Sequence, residues 1–563
     1  MNKKIFMPLL ALAAILAFPA CSGKLTPLSE QYIKAEPQPL EVTGGEIPVT
    51  ISATFPAKWF NKNAVVTVTP VLRYATGETW GTSYTFQGEK VKSNNQSVPY
   101  ASGGNATMRS KFEYKPAMKK SELFLTFDAK IKNKTVKLPD IKIADGVIAT
   151  SALADAATAN PAIGADKFQR IIKEAYDANI MFLIQQAELR SKELNKDEVK
   201  EWKDIVENAN DAPNQNVSVE ISAYASPDGG LKLNDALAEH REGNTKNYLN
   251  KELKKRKIDV PVDARYTAQD WEGFHELVSK SNLQDKDLVL RVLSMYKDPE
   301  EREREIKNIS TVFKSLADEV LPQLRRSRLT ANIEIIGKSD QEIASLAKSD
   351  AGSLKIEELL YAATLTDNAA EKETIYTKAS NIYSNDYRPW NNIGMQRFRA
   401  GDYDKAEELF NKSNSIKNNS EANINLGLLA LLKGDKSKAQ QLFGSASDVP
   451  ELGEALGLLY LEQGDYAKAV SSFAGIKTNN AALAQILTKD YSTAAQTLNA
   501  VKNADAITDY LKAVVAARTN DSNGVVSNLK SAIGKDRSLA GEAAIDLEFA
   551  KYATNSSFTD LIK

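Results

Sequence analysis

The sequence predicts a multidomain chain of three structural classes in succession: a β-sandwich, an α+β domain and an all-α array of helical repeats. Three observations predict it. From about residue 41 to 145 apolar and polar residues alternate at period two. From about 179 to 338 short apolar runs alternate with helical segments. From about 350 to the end the period is helical, and a Gly-Asp pattern recurs at offsets of 33 and 30 residues.

Ahead of these lies an export signal. Lys3 and Lys4 precede an apolar run from Ile5 to Ala17, then Phe18-Pro19-Ala20, then Cys21, the single cysteine of the sequence. This is a basic n-region, a short h-region and a small residue before the cut. The run is shorter than the roughly 20 residues of a transmembrane helix. A cysteine at the cleavage point resembles the lipobox of bacterial lipoproteins. That resemblance implies a signal peptide over 1–20 and lipidation of Cys21, with acyl chains such as palmitate as the membrane anchor. A plain secretory signal with an incidental cysteine is the alternative. Residues 21–40 read as a polar tether containing Pro27, Pro37 and Pro39. No acidic cluster follows Cys21, which favours the periplasmic face of the outer membrane, with surface exposure as the other possibility.

The sandwich is expected over 41–145. Val49, Ile51, Ala53 and Phe55 alternate with polar neighbours, and so do Leu123, Leu125, Phe127, Ala129 and Ile131. Gly44-Gly45, Gly81, Gly88 and Gly103-Gly104 mark turns. The size fits an Ig-like sandwich, with no chemistry attached. Residues 146–178, rich in Ala and Asp, read as a connector ending in a short helix.

The α+β domain is expected over 179–338, with a helical insert. Ile180–Ile184 reads as a first strand, and a helix starts near Asn195 and runs to about Asn208. Val217, Val219 and Ile221 mark a second strand. A loop at Ser226–Gly230 leads to a helix from about Leu233 to Leu253, and Leu329–Ile336 forms a late strand. This region resembles the OmpA-like fold. The resemblance lies in Ile180-Met181-Phe182 with Ala187-Glu188-Leu189-Arg190, in Ile221–Gly229, in Asn234-Asp235-Ala236-Leu237-Ala238-Glu239-His240-Arg241, and in Arg325-Arg326-Ser327-Arg328. It implies a peptidoglycan-binding fold in which a loop Asp and a helix Arg hold diaminopimelate. A guanidinium suits a carboxylate because its planar fork pairs both oxygens. Arg241 matches that arginine, and Asn234 begins its helix motif. The aspartate position is Ser226, and the nearest acid, Asp228, is displaced by two residues across Pro227. A serine hydroxyl cannot neutralise an ammonium, so weak or absent diaminopimelate binding is expected. Arg241 can equally be a surface helix arginine paired with an acid.

In the last region Gly394, Gly427 and Gly457 recur beside Gly401-Asp402-Tyr403, Gly434-Asp435-Lys436 and Gly464-Asp465-Tyr466. Ala406, Ala439 and Ala469 are each followed four residues later by Phe410, Phe443 and Phe473. Asp490-Tyr491 looks like a shortened further turn. This resembles the tetratricopeptide repeat, a helix–turn–helix unit of roughly 34 residues. The resemblance implies a superhelix over 350–563 whose concave face binds peptide or protein. The phenylalanines are expected to fill gaps between units. Asn391, Asn392, Arg397, Asn423 and Asn425 are candidate lining residues, because amide side chains can bond a peptide backbone. Plain solvation of a helix surface is the alternative for them.

Composition excludes several classes. The chain is 42% apolar and 26% charged, with a net charge of −1, or about −3 once residues 1–20 are removed. Such balance argues against nucleic acid as a partner. His240 and His275, the two histidines, fall in no metal-ligand spacing, and no nucleophile elbow or phosphate loop occurs. The sequence therefore predicts no metal, no cofactor and no enzyme. It predicts an outer-membrane lipoprotein that binds envelope proteins through its repeats, or, as the alternative, a tether to peptidoglycan.

Overall fold

The structure, a computed structural model, describes residues 25–563 apart from Gln284 and Ile309. The expected signal peptide and Cys21 lie outside the described residues. The chain divides into two compact units. The first joins residues up to Ala165 with Tyr376–Lys563, and the second is Asp166–Ile375.

In the first unit, period-two alternation becomes two facing antiparallel sheets. One contains Ile33–Glu36, Glu46–Phe55 and Gly104–Glu113 in that order. The other is built around Ser121–Ile131, Ala64–Tyr74 and Tyr84–Gly88. Ile47, Val49, Ile51 and Phe55 from the first sheet meet Val66, Val68, Leu123 and Leu125 from the second in one core. The expected tether is a correction. Leu25 and Leu28 are buried in this core, and Ile33–Glu36 pairs with Glu46–Phe55, so the sandwich begins well before residue 41. Leu25, Leu28, Ala35 and Leu40 enter the core, and the strand pairing holds the rest of the segment.

The C-terminal half is helical repeats. The pairs are Tyr387–Arg399 with Tyr403–Ile416, Ser420–Leu432 with Lys436–Gly444, and Leu452–Gln463 with Tyr466–Ser472. Asn479–Leu487 with Tyr491–Asn499 and Ala506–Arg518 with Ser522–Lys535 continue the series. The Gly-Asp pattern has a double cause. Gly401, Gly434 and Gly464 end the first helix at positive φ, which costs glycine nothing. The following aspartates cap the second helix: the Asp402, Asp435 and Asp465 carboxylates accept from the backbone N–H of Lys405, Lys438 and Lys468. Lys489-Asp490 and Asn520-Asp521 form the same turn without glycine. Sequence matching to Gly-Asp therefore recognised the fourth turn weakly and passed over the fifth.

The phenylalanines are buried in the core that the repeats share. Each packs on the glycine of its own repeat. A Cβ on Gly394 would lie 2.7 Å from Phe410, on Gly427 2.2 Å from Phe443 and on Gly457 2.6 Å from Phe473. The small residue lets the two helices of a pair close, and the ring fills the space that this leaves.

The second unit is an α+β sandwich. Its four strands run in the order Ile171–Met181, Arg326–Ile336, Gln215–Tyr224, Val262–Thr267; the first two contacts are antiparallel and the last parallel. Helices Asp197–Asp211 and Leu231–Arg256 cover one face, burying Trp202, Val206, Leu249 and Leu253 against Ile180, Val219, Ile221 and Leu329. Between Thr267 and Arg326 lies a helical insert with its own core of Phe274, Val278, Val289, Leu293 and Leu321. Two strand expectations change. The connector ends in the strand Ile171–Met181 where a helix was expected, because residues 171–177 are exposed on the sheet edge and carry no alternation. The strand Val262–Thr267 is likewise an edge, and its alternation is short and only half-buried, at Val262 and Ala264. Among the described residues no helix is long and apolar enough to cross a membrane.

Candidate functional site

The first helices of three of the five repeat pairs place an asparagine at the same position on one face. Asn392, Asn425 and Asn480 each stand ten residues before a capping aspartate, Asp402, Asp435 and Asp490. Equal spacing from an equivalent turn puts their amides in equivalent places on the first, second and fourth of these pairs.

That face holds a segment of the chain itself. After the strand Val147–Ile148 the backbone makes two single 3-10 turns, Thr150–Leu153 and Ala156–Thr158, and continues without regular structure to Ala165. It runs from the late repeats toward the early ones. Asn480 accepts from the Asp155 N–H at 3.0 Å and donates to the Asp155 carbonyl at 3.0 Å. Glu454 accepts from both the backbone N–H and the side-chain amide of Asn160, at 3.3 and 3.0 Å. Asn425 accepts from the Ala162 N–H at 2.6 Å and donates to the Ala162 carbonyl at 2.8 Å, which Asn391 also reaches at 2.9 Å. Asn392 accepts from the Gly164 N–H at 2.8 Å and donates to its carbonyl at 2.9 Å. Arg388 donates to the Ala165 carbonyl at 3.2 Å.

Three asparagines thus each close a two-bond ring on the N–H and C=O of one residue. A buried peptide needs both groups satisfied, and a carboxamide carries the matching donor and acceptor. The rings at Ala162 and Gly164 are dry: Asn425 and Ala162 are 0% and Asn392 1% exposed, whereas Asp155 at the third ring is exposed. Ala156, Ala159 and Ala162 enter the repeat core, so every third residue of the segment is buried and small. Gly164 has no room for more, since a Cβ there would lie 2.8 Å from Arg388. Burial also raises the pKa of Glu454, against the lowering effect of its bonds from Asn160. At the upstream end the Thr150 hydroxyl donates to Glu548, which is also paired with Arg518.

The candidate lining residues therefore separate. Asn391, Asn392 and Asn425 come together on the segment. They are buried and bonded, which corrects the expectation that they stand free for a partner. Asn423 instead bonds Asn414 and Asn418 beside the turn between helices, and Arg397 pairs with Asp402 at 3.8 Å. The sequence reading missed Asn480, Glu454 and the segment. The ten-residue spacing to the capping aspartate was the available signal for Asn480.

In the second unit the loop and helix expected to hold diaminopimelate are closed on themselves. The Ser226 hydroxyl donates to Asp228, and Arg325 donates to Asp228 at 3.1 Å and to Ser226 at 3.3 Å. Asn234 donates to the carbonyls of Ser226 and Gly229 at 2.9 and 2.8 Å, tying the loop to its helix. Arg241 is 0% exposed, so it is not a surface arginine. Its three nitrogens donate to the carbonyls of Gln186, Tyr224 and Leu183 at 3.0, 2.8 and 3.2 Å, and the guanidinium lies over Phe182. Burial, aided by Arg325, pushes its pKa down to about 10, so it stays charged at neutral pH. The insert covers the loop: Gln269 donates to the Gly229 carbonyl at 3.0 Å, and Pro227 and Asp228 share a pocket with Trp271, Phe274 and Phe313. Arg241 spends its fork on backbone carbonyls, and Arg325 neutralises Asp228.

No protein-family model and no curated protein matches the chain. Among solved structures, it is similar to a tetratricopeptide repeat protein from Parabacteroides merdae (14% identity, 40% of this chain and 91% of that one, TM-score 0.28). It is also similar to the Cut9–Hcn1 hetero-tetramer of the APC/C (14%, 60% and 76%, TM-score 0.30). A third is pilF of Pseudomonas aeruginosa (15%, 40% and 98%, TM-score 0.27). The assignment of helical repeats rests on the chain's own recurring turns and helix pairs.

Proposed function

We propose that the chain is a non-enzymatic envelope lipoprotein, anchored in the outer membrane through Cys21 and facing the periplasm, whose repeats are an interaction platform for other envelope proteins. The observation that carries the platform reading is the row of asparagines that holds a peptide backbone through its N–H and C=O groups. A face built for backbone recognition is what a protein-binding array needs. The lipobox resemblance supports the anchor, and mass spectrometry of the N-terminal peptide tests it. A free thiol at Cys21 would remove the anchor from the reading. Cross-linking with mass spectrometry on membranes of the native host tests the platform. Partner cross-links are expected on lysines of 376–563. Cross-links confined to 25–165 or 166–375 would refute it.

The α+β sandwich of the second unit suits the OmpA-like resemblance, and a peptidoglycan tether is the second reading. The bonding of Arg241 and Asp228 disfavours it. Replacing Ser226 by Asp places an acid at the family position, yet it would do so beneath the insert. Pulldown with insoluble peptidoglycan is expected to be weak for the unchanged chain; strong capture, lost in Arg241→Ala with the fold intact, would reinstate the tether.

A further inference from the structure

We infer that residues 155–164 are a tethered pseudo-ligand: they occupy a peptide-recognition groove from which a partner segment of the same type can displace them. This rests on the platform reading and specifies its ligand. The type follows from the contacts. The groove takes a backbone that makes one 3-10 turn at Ala156–Thr158 and then runs on without regular structure, bonded through both N–H and C=O at three residues. It admits only small side chains at three positions spaced by three, then requires a residue without a Cβ two positions later. It asks for no donor at Pro161, which has none. The partner segment is therefore uncharged at its buried positions, with Ala, Ser or Gly in that register and Gly at the end.

Two features make the segment exchangeable. Its fully buried side chains are small, three alanine methyls and the Pro161 ring, with Ile163 half-buried beside them, so leaving the groove exposes only a modest apolar surface of its own. The reading groups address the backbone, so a foreign chain with the same register satisfies them equally. The segment's advantage is its tether. A short linkage holds a ligand at an effective concentration in the millimolar range, and this makes the groove closed by default and open to a partner that is abundant or tight.

The test uses the full chain. Ala162→Glu with Gly164→Val disables the resident segment, by placing a carboxylate in a dry pocket and a branched side chain against Arg388. A fluorescent peptide with the sequence of residues 150–165 is the probe, read by anisotropy. The variant is expected to bind it one to one, and the unchanged chain about 100-fold more weakly because of the tether. Adding Asn392→Ala and Asn425→Ala should remove the binding, and a peptide carrying the same Glu and Val should not bind. A variant that keeps its helical circular dichroism and fails to bind overturns the proposal. So does binding that ignores the two asparagines. A mixed dimer between variant and unchanged chain would replace the partner segment by a second copy of this chain and overturn the stated occupant.

Should the variant not fold, hydrogen exchange on the unchanged chain decides. The amides of Asp155, Ala162 and Gly164 are expected to exchange at least tenfold faster than those of Ile51 and Leu125 in the sandwich, through local opening. Equal protection would mean that the segment leaves only on global unfolding, and would overturn exchange. Failure here with partner cross-links still on 376–563 leaves the platform standing. Cross-links elsewhere with exchange intact remove the platform and leave the groove.

Discussion

At the residue scale, the two asparagines most alike in sequence context behave differently. Asn425 satisfies a buried peptide, whereas Asn423 bonds other side chains near a turn. Asn425→Ala leaves the Ala162 N–H without a partner and should cost about 1–3 kcal/mol, while Asn423→Ala should cost about 0.5–1 kcal/mol; urea unfolding compares them. Arg241→Ala would strip the donors from three carbonyls and should destabilise the second unit by about 3 kcal/mol or more. Its capture by peptidoglycan should then fall only as far as the unit unfolds, measured by circular dichroism on the same sample. Glu462 gives a pH dependence. Burial, opposed by Lys436, pushes its pKa up to about 7 from 4.5. The folded chain then binds the proton more tightly than the unfolded one, so stability from this group is full below about pH 4.5 and lost as pH rises through about 7. Glu462→Gln should flatten the urea midpoint over that window and raise it at pH 8.

At the element scale, a repeat pair is a glycine facing a phenylalanine across two helices. Phe443→Ala should destabilise the array by about 3–5 kcal/mol through the cavity it leaves. Gly427→Val should cost about 1–3 kcal/mol by overpacking against the ring that a Cβ already meets at 2.2 Å. The two sites share one space, so Gly427→Ala combined with Phe443→Leu should cost less than the separate changes added together, and a double-mutant cycle by chemical denaturation reads the coupling. The periodic elements were legible because each carried its own pattern: alternation in the sandwich strands, and Gly-Asp with Ala and Phe at fixed offsets in the helices. The first part of the strand Ile171–Met181, exposed at residues 171–177, and the short edge strand Val262–Thr267, which is at most half-buried, were not, because little burial is written into their sequence.

At the scale of the whole molecule, the first unit is assembled from both ends of the chain, and the second is inserted between them. Within the first unit the sandwich and the array are joined beyond the segment. The Tyr466 hydroxyl donates to the Val42 carbonyl at 3.4 Å, Lys436 donates to the Gly44 carbonyl at 3.0 Å, and Lys119 pairs with Glu542 at 2.6 Å. Calorimetry should therefore show two transitions, with the sandwich melting together with the repeats. Asn425→Ala should lower one transition and leave the other in place. A third transition assigned to the sandwich alone would contradict the joined unit.

By itself the sequence determined the succession of classes, the turns of the repeats and the residue type suited to hold a backbone. Each of these is a local periodicity, and local periodicity is written in order along the chain. Tertiary structure alone decided what the asparagines hold and what Arg241 does. Ala162 is distant in sequence from Asn425, and the carbonyls of Leu183 and Gln186 are distant from Arg241; no local pattern links them. A polar residue on a helix looks the same in sequence whether water, a partner or its own chain supplies the hydrogen bond. Burial makes that choice, and burial exists only once the distant segment has been brought into place.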